Sequence, residues 1–172
     1  MKKLVSLALG LCICCGLSAQ QEKIDELLQC ISQGDRICLD FSFCQNGNSK
    51  LRTDGSLELQ GSSYLVTMSG VKIICDGNTQ WTVDDTGQEI YIEQGGLLLG
   101  YLSNPDYIRN AISSLNSSGN SISGILKTGK TGGIKIQFAL KNINCSKPLD
   151  DLSRFCLDSS VYTVPWVITD LR

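Results

Sequence analysis

The sequence predicts an α+β fold that is mainly β: an incomplete antiparallel β-barrel, a curled sheet covered by two helices. Three observations predict it. From Gly55 to Glu93 the chain reads as consecutive short strands, GSLELQ, SSYLVTMSG, VKIICDG, TQWTV and QEIYIE, joined by tight Gly, Asp and Asn turns. Just before them, Ile37, Leu39, Phe41 and Phe43 alternate with Arg36, Cys38, Asp40, Ser42 and Cys44, the cleanest period of two in the chain. Two amphipathic segments, 21–33 and 104–116, stand apart from these strands and carry apolar stripes that must be buried on a neighbour.

The elements follow in order. Met1-Lys2-Lys3 precedes an uncharged run of 14 residues, Leu4 to Leu17, that ends in small residues around Gly16, Ser18 and Ala19. This is the pattern of a cleaved secretory leader, and the run falls short of the roughly 20 apolar residues that span a bilayer. Residues 1–19 are therefore expected to be a signal peptide and 20–172 a single exported domain. A lipoprotein leader is the weaker alternative, because Cys12, Cys14 and Cys15 follow Leu11, Ile13 and Cys14, where lipidation wants a small residue.

Gln21 to Gln33 places Ile24, Leu27, Leu28 and Ile31 on one helical face, and Gly34 stops it. The strand Asp35 to Gln45 turns at Asn46-Gly47-Asn48 and returns as Lys50 to Gln60. After the meander, Asn104-Pro105-Asp106 announces a second helix running to about Asn116, with Tyr107, Ile108, Ala111, Ile112 and Leu115 as its stripe and 117–120 as a loop. Ser123 to Thr128, Ile134 to Asn144, Ser153 to Leu157 and Thr163 to Leu171 read as the remaining strands. The meander implies consecutive antiparallel pairing throughout.

Composition excludes several classes of function. Without Lys2 and Lys3, 13 of the 15 basic residues remain against 17 acidic ones, a net of −4, so no basic footprint for nucleic acid is left. No later run is apolar enough for a membrane span, and the exported chain is expected to be a soluble monomer. Histidine is absent, and the six cysteines beyond the leader, Cys30, Cys38, Cys44, Cys75, Cys145 and Cys156, contain no CxxC pair, so neither a metal nor a cofactor is expected. Six thiols allow fifteen pairings. Cys145 and Cys156, flanking Lys147-Pro148, are the first candidates for a bridge, and the plainer reading is that several of the six are small apolar core residues. An enzyme is not expected: the common general base is missing, as are a Gly-x-Ser-x-Gly elbow and a phosphate-binding glycine loop, and Asp84-Asp85 reads as a solvated turn.

With these pieces in place, the chain resembles the LolA family of periplasmic lipoprotein carriers, most specifically in Ile74-Cys75-Asp76-Gly77-Asn78-Thr79-Gln80-Trp81, a short apolar strand, Asp-Gly and a nearby tryptophan. Phe41 to Gln45, Gly55-Ser56-Leu57, Gln88-Glu89-Ile90 and Asn104-Pro105 fall in the family's order, and Val167 to Arg172 is similar to the last strand of shorter Bacteroidetes-type members. The resemblance implies a periplasmic carrier that holds lipoprotein acyl chains in a hydrophobic cavity between inner and outer membranes. Its partners would be lipidated proteins, an inner-membrane lipoprotein-releasing transporter that loads it, and an outer-membrane acceptor the sequence does not identify.

An anchor of about thirty methylenes, at ~0.8 kcal/mol each, makes such a cavity necessary for passage through water. The implied cavity residues are Ile37, Leu39, Phe41, Phe43, Leu57, Leu59, Tyr64, Val66, Met68, Trp81, Tyr107, Ile108 and Ile112. For each strand residue, ordinary core is the competing reading, and for Trp81 it is the favoured one. Where family members carry an arginine after the second strand that helps hold the lid, this chain has Gln60 or Gly61, so closure is expected to rest on apolar contact of the second helix. The alternative function is a periplasmic lipid- or lipoprotein-sensing interaction module on the same fold.

Overall fold

The computed structural model describes residues 22–96, 110–128, 133–158, 160, 162–163 and 165–172. The leader, the beginning of the second predicted helix with Tyr107 and Ile108, and most of the 129–133 loop lie outside the described residues. Helix α1 spans 22–33. Ten strands follow: β1 (Arg36–Gln45), β2 (Arg52–Gln60), β3 (Ser63–Met68), β4 (Val71–Cys75), β5 (Thr79–Asp84), β6 (Glu89–Gln94), β7 (Ile112–Ser118), β8 (Ser121–Thr128), β9 (Ile134–Ser146) and β10 (Val167–Asp170). They form one curled, unclosed sheet in the order β10-β6-β5-β4-β3-β2-β1-β9-β8-β7. Among the described residues no helix is long and apolar enough to cross a membrane.

Local chemistry explains the turns. Asn46 and Gly47 both take positive φ, the conformation that lets a two-residue turn match the twist of β1 and β2. Between β4 and β5, the Asp76 carboxylate accepts from the backbone N–H groups of Asn78 and Thr79, each at 2.8 Å, while Gly77 supplies φ +100°.

β9 contains an irregularity that decides side-chain placement. Its register with β1 shifts between Cys38 and Asp40, with Asn142 at φ +53° and its amide donating to Asp40 at 2.6 Å. This extra residue is a bulge. Ile143 and Cys145 share the α1 side with Ile37, and the shift allows Leu140, Phe138 and Ile136 to stay on that side too, opposite Phe41, Phe43 and Gln45. Unbroken alternation from Cys145 would have put Lys141 and Ala139 there instead.

The sheet uses both faces. On the α1 side, buried Ile37, Leu39, Leu59, Tyr64 and Cys75 make one cluster with Leu27, Cys30 and Ile31 of the helix, and Ile24 makes a second with Ile122 and Phe138. Along β5 and β6 the pattern inverts: the pairings Ile74↔Trp81, Trp81↔Ile92 and Val83↔Ile90 place these residues on the opposite face. There Ile74, Val83 and Ile90 are buried.

The segment after β9 runs across this outer face. The Gln60 side-chain amide donates to the Leu149 carbonyl at 2.8 Å and accepts from the Leu149 N–H at 2.9 Å, so a buried side chain pairs with the segment as a neighbouring strand would. Glu58 is held between Arg36 and Arg154, each at 2.8 Å, and Phe155, in a 3-10 turn (Ser153–Phe155) packed on β3, is fully buried.

Four expectations are corrected here. Residues 110–111 are helical, but Ile112–Ser118 is β7, so the second half of the predicted lid helix is a strand; Ser, Asn and the β-branched Ile112 suit a hairpin partner better than a helix interior. Gly119 at φ +55° turns β7 into β8 where a loose loop was expected. Ser153 to Leu157 is not a strand: Ser153–Phe155 form the 3-10 turn. Finally, β10 is confined to Val167–Asp170 and pairs with β6 in parallel, starting opposite Glu89. The direction follows from the path: β9 ends beside Arg36, and the crossing carries the chain over the whole strand length to the far end of the sheet before β10 begins.

Candidate functional site

The α1 side of β1–β4 and β7–β9 carries the candidate site. Ile37, Leu39, Leu59 and Tyr64 form its floor beneath α1. From that floor the same face continues along the strands through partly buried Leu57, Val66, Phe41, Ile73 and Met68. It ends at a rim where Phe43, Leu51 and Ile134 are 36%, 53% and 42% exposed, which makes this end, far from the Ile37 floor, the apolar mouth of the sheet.

Two glycines shape the aromatic wall. A Cβ at Gly55 would lie 2.6 Å from the Phe41 ring and 2.4 Å from the Thr67 carbonyl oxygen, and one at Gly124 would lie 2.9 Å from the Phe138 ring. Each ring rests on the bare backbone of its cross-strand partner. This lets Phe41 lie low enough to meet Phe43, with ring centroids 5.2 Å apart.

The floor ends in a polar line. The Tyr64 hydroxyl donates to the Gln80 side-chain oxygen, and the Gln80 amide donates to Glu93 at 3.0 Å. Burial, reinforced by the neighbouring Cys75 and by Glu93, pushes the Tyr64 phenol well above its usual range, so it stays protonated. Beyond it, the α1 side of β5 and β6 presents Gln80, Thr82, Asp84, Glu89, Tyr91 and Glu93, with the Tyr91 hydroxyl bonded to Glu89. The apolar surface is thus bounded on this flank by hydrogen-bonding and acidic groups.

The structure brings Ile37, Leu39, Phe41, Phe43, Leu57, Leu59, Tyr64, Val66 and Met68 onto one face. Ile112 joins them from β7, packed against the Ile24–Ile122–Phe138 cluster, and no longer belongs to a lid. Trp81 does not join them: its register places it on the outer face. Gln60, expected near the lid, also faces outward and is committed to Leu149. Sequence reasoning missed Phe138, Leu140, Ile122 and Ile73, although the change of phase between Leu140 and Ile143 was a readable sign of the bulge.

The six described cysteines are free. Cys145 faces α1 while Cys156 lies on the crossing segment beyond the opposite face, so the sheet separates the expected pair. Among the described residues no His, Cys, Asp or Glu group is arranged to hold a metal ion. No protein-family profile matches the sequence, and no curated protein is significantly similar to it.

Proposed function

We propose that this chain is a LolA-like carrier, which shields the acyl chains of lipidated proteins on the α1 side of its curled sheet while they cross the periplasm. The observation that supports this reading is the continuous apolar face running from the Ile37–Tyr64 floor to the exposed Phe43–Leu51–Ile134 mouth. A face that served only as core would end under its cover, whereas this one continues to exposed apolar side chains at its rim. The acyl chains lie along Leu57, Val66 and Met68 against the Phe41 and Phe43 rings, with α1 as a fixed end wall. The polar line of Tyr64, Gln80 and Glu93 stops them on one side, because burying these groups under methylenes would leave them without water.

Binding of a synthetic triacylated lipopeptide to the purified protein tests this. Phe41→Glu places a carboxylate among the acyl chains and should weaken binding at least tenfold, since desolvating it costs several kcal/mol. A Phe41→Glu variant that keeps its circular dichroism spectrum and binds with unchanged affinity overturns the assignment. Capture of many lipidated proteins from periplasm supports a carrier; capture of one dominant protein supports the sensing module.

A further inference from the structure

Cys30 and Cys145 are brought together by packing that neither residue's own element dictates. Cys30 lies on the last turns of α1 and packs on the cluster containing Ile37. Cys145 is the cross-strand partner of Ile37 on β9. Both line one cleft of about 400 Å³ between the helix and the strands, together with Leu27, Ile122 and Ile143. Desolvation, with Cys30 close enough to act on it, pushes the Cys145 thiol up to about 12. The other cysteines have different surroundings: Cys75 is buried beside Tyr64, the Cys44 thiol donates to the Asn48 carbonyl, and Cys38 lies outward on β1.

We propose that Cys30 and Cys145 are an oxidisable pair whose disulfide fastens α1 to β9. The oxidant is a disulfide, either glutathione disulfide or a protein dithiol oxidase of the exporting compartment. The thiolate of one cysteine attacks a sulfur of the oxidant, forming a mixed disulfide and releasing one oxidant thiolate. The second cysteine, deprotonated in turn, displaces the other half. Two electrons pass to the oxidant, which leaves as two thiols carrying the two protons the cysteines lost. Cys145 is exposed, so an oxidant reaches the pair without unfolding of the sheet. The bridge joins residues 115 apart and removes much of the freedom of the unfolded chain.

The test is peptide mapping of the full chain after equilibration with glutathione disulfide, with free thiols alkylated before digestion. The expected result is one linked peptide pair, lighter by two hydrogens, joining Cys30 to Cys145. The oxidised protein should melt on the order of 10 °C above the reduced one, and that difference should vanish in Cys145→Ser and persist in Cys156→Ser. Alkylation of both Cys30 and Cys145 after oxidation, or linkage of Cys145 to Cys156, overturns the proposal. The mapping needs only the unmutated chain, so it decides the matter even where a variant fails to fold.

Discussion

The two halves of the sheet solve the same problem on opposite faces. In β1–β4 and β7–β9 most of the apolar side chains face α1, a helix of twelve residues that packs on the floor around Ile37 and, among the described residues, leaves Phe43, Leu51 and Ile134 exposed at the far end. In β5 and β6 they face the other way, on the face where the crossing segment is pinned to β2 and β3 by Gln60, Glu58 and Phe155 and where β10 pairs with β6. The difference lies in what covers each face. Phe155 on the crossing segment and Val83 and Ile90 on the outer face are buried, while β10 leaves Val167 and Ile168 exposed; on the α1 side, Phe43, Leu51 and Ile134 are the exposed apolar residues at the rim.

On the proposed reading, the outer half serves stability alone, while the α1 half serves both stability and binding. Phe155→Ala should cost about 3–5 kcal/mol in chemical denaturation, the range for emptying a buried aromatic site, with lipopeptide affinity unchanged in the folded fraction. Next in size is Gln60→Ala, which leaves the Leu149 N–H and carbonyl unpaired and should lose about 1–3 kcal/mol. Gly55→Ala falls in the half proposed to bind lipid and should destabilise by about 1–3 kcal/mol by driving a methyl into the Phe41 ring and the Thr67 carbonyl. It should also weaken lipopeptide binding, and equal effects of Phe155→Ala and Gly55→Ala on binding would erase the distinction between the halves.

The smallest effects are on pH dependence. Tyr64 and Cys145, both on the α1 side, have raised pKa values, so their protonated forms contribute stability that is complete below the unfolded values near 10 and 9 and is lost as pH rises past them. Tyr64→Phe should flatten this alkaline decline in urea midpoints. On the other half, hydrogen bonds from Arg172 hold Asp170 down at about 2, and those from Ser153 and Ser160 lower Asp151 and Asp158. Their contribution is present above the ordinary carboxylate range and fades as pH falls through it. All three are solvent-exposed, so Asp170→Asn should shift the acid limb only slightly.

The strands from 36 to 94 were legible because their alternation, turn residues and lengths agree, and one residue type at each turn satisfies the geometry found. The first helix was legible from Ile24, Leu27, Leu28 and Ile31. Ile112 to Ser118 misled because Ile112 and Leu115 are spaced three apart; that spacing fits a helix face, while the bulge between Ile112 and Ser114 produces it in a strand. Trp81 and Tyr64 both lie in apolar strands and so look alike in the sequence, and only the register across β4 shows that they face opposite ways. The outer cover was illegible for a different reason: its contacts come from Leu149 backbone groups and a single buried Phe155, which leave no periodic trace.

The placement of β1 sets the order in which the molecule can assemble. β1 through β6 pair with their sequence neighbours, so this meander closes through short loops as soon as it is available. Its two borders, however, wait for distant partners: β1 for β9, about a hundred residues later, and β6 for β10, nearly eighty later. A chain in which only these six strands had paired would present two open edges, one of them the strand that carries Phe41 and Phe43. Pairing of β9 and β10 covers those two edges and leaves the short β10 and the Ser- and Asn-rich β7 as the borders of the sheet, and the crossing from β9 to β10 joins the two events in a single passage.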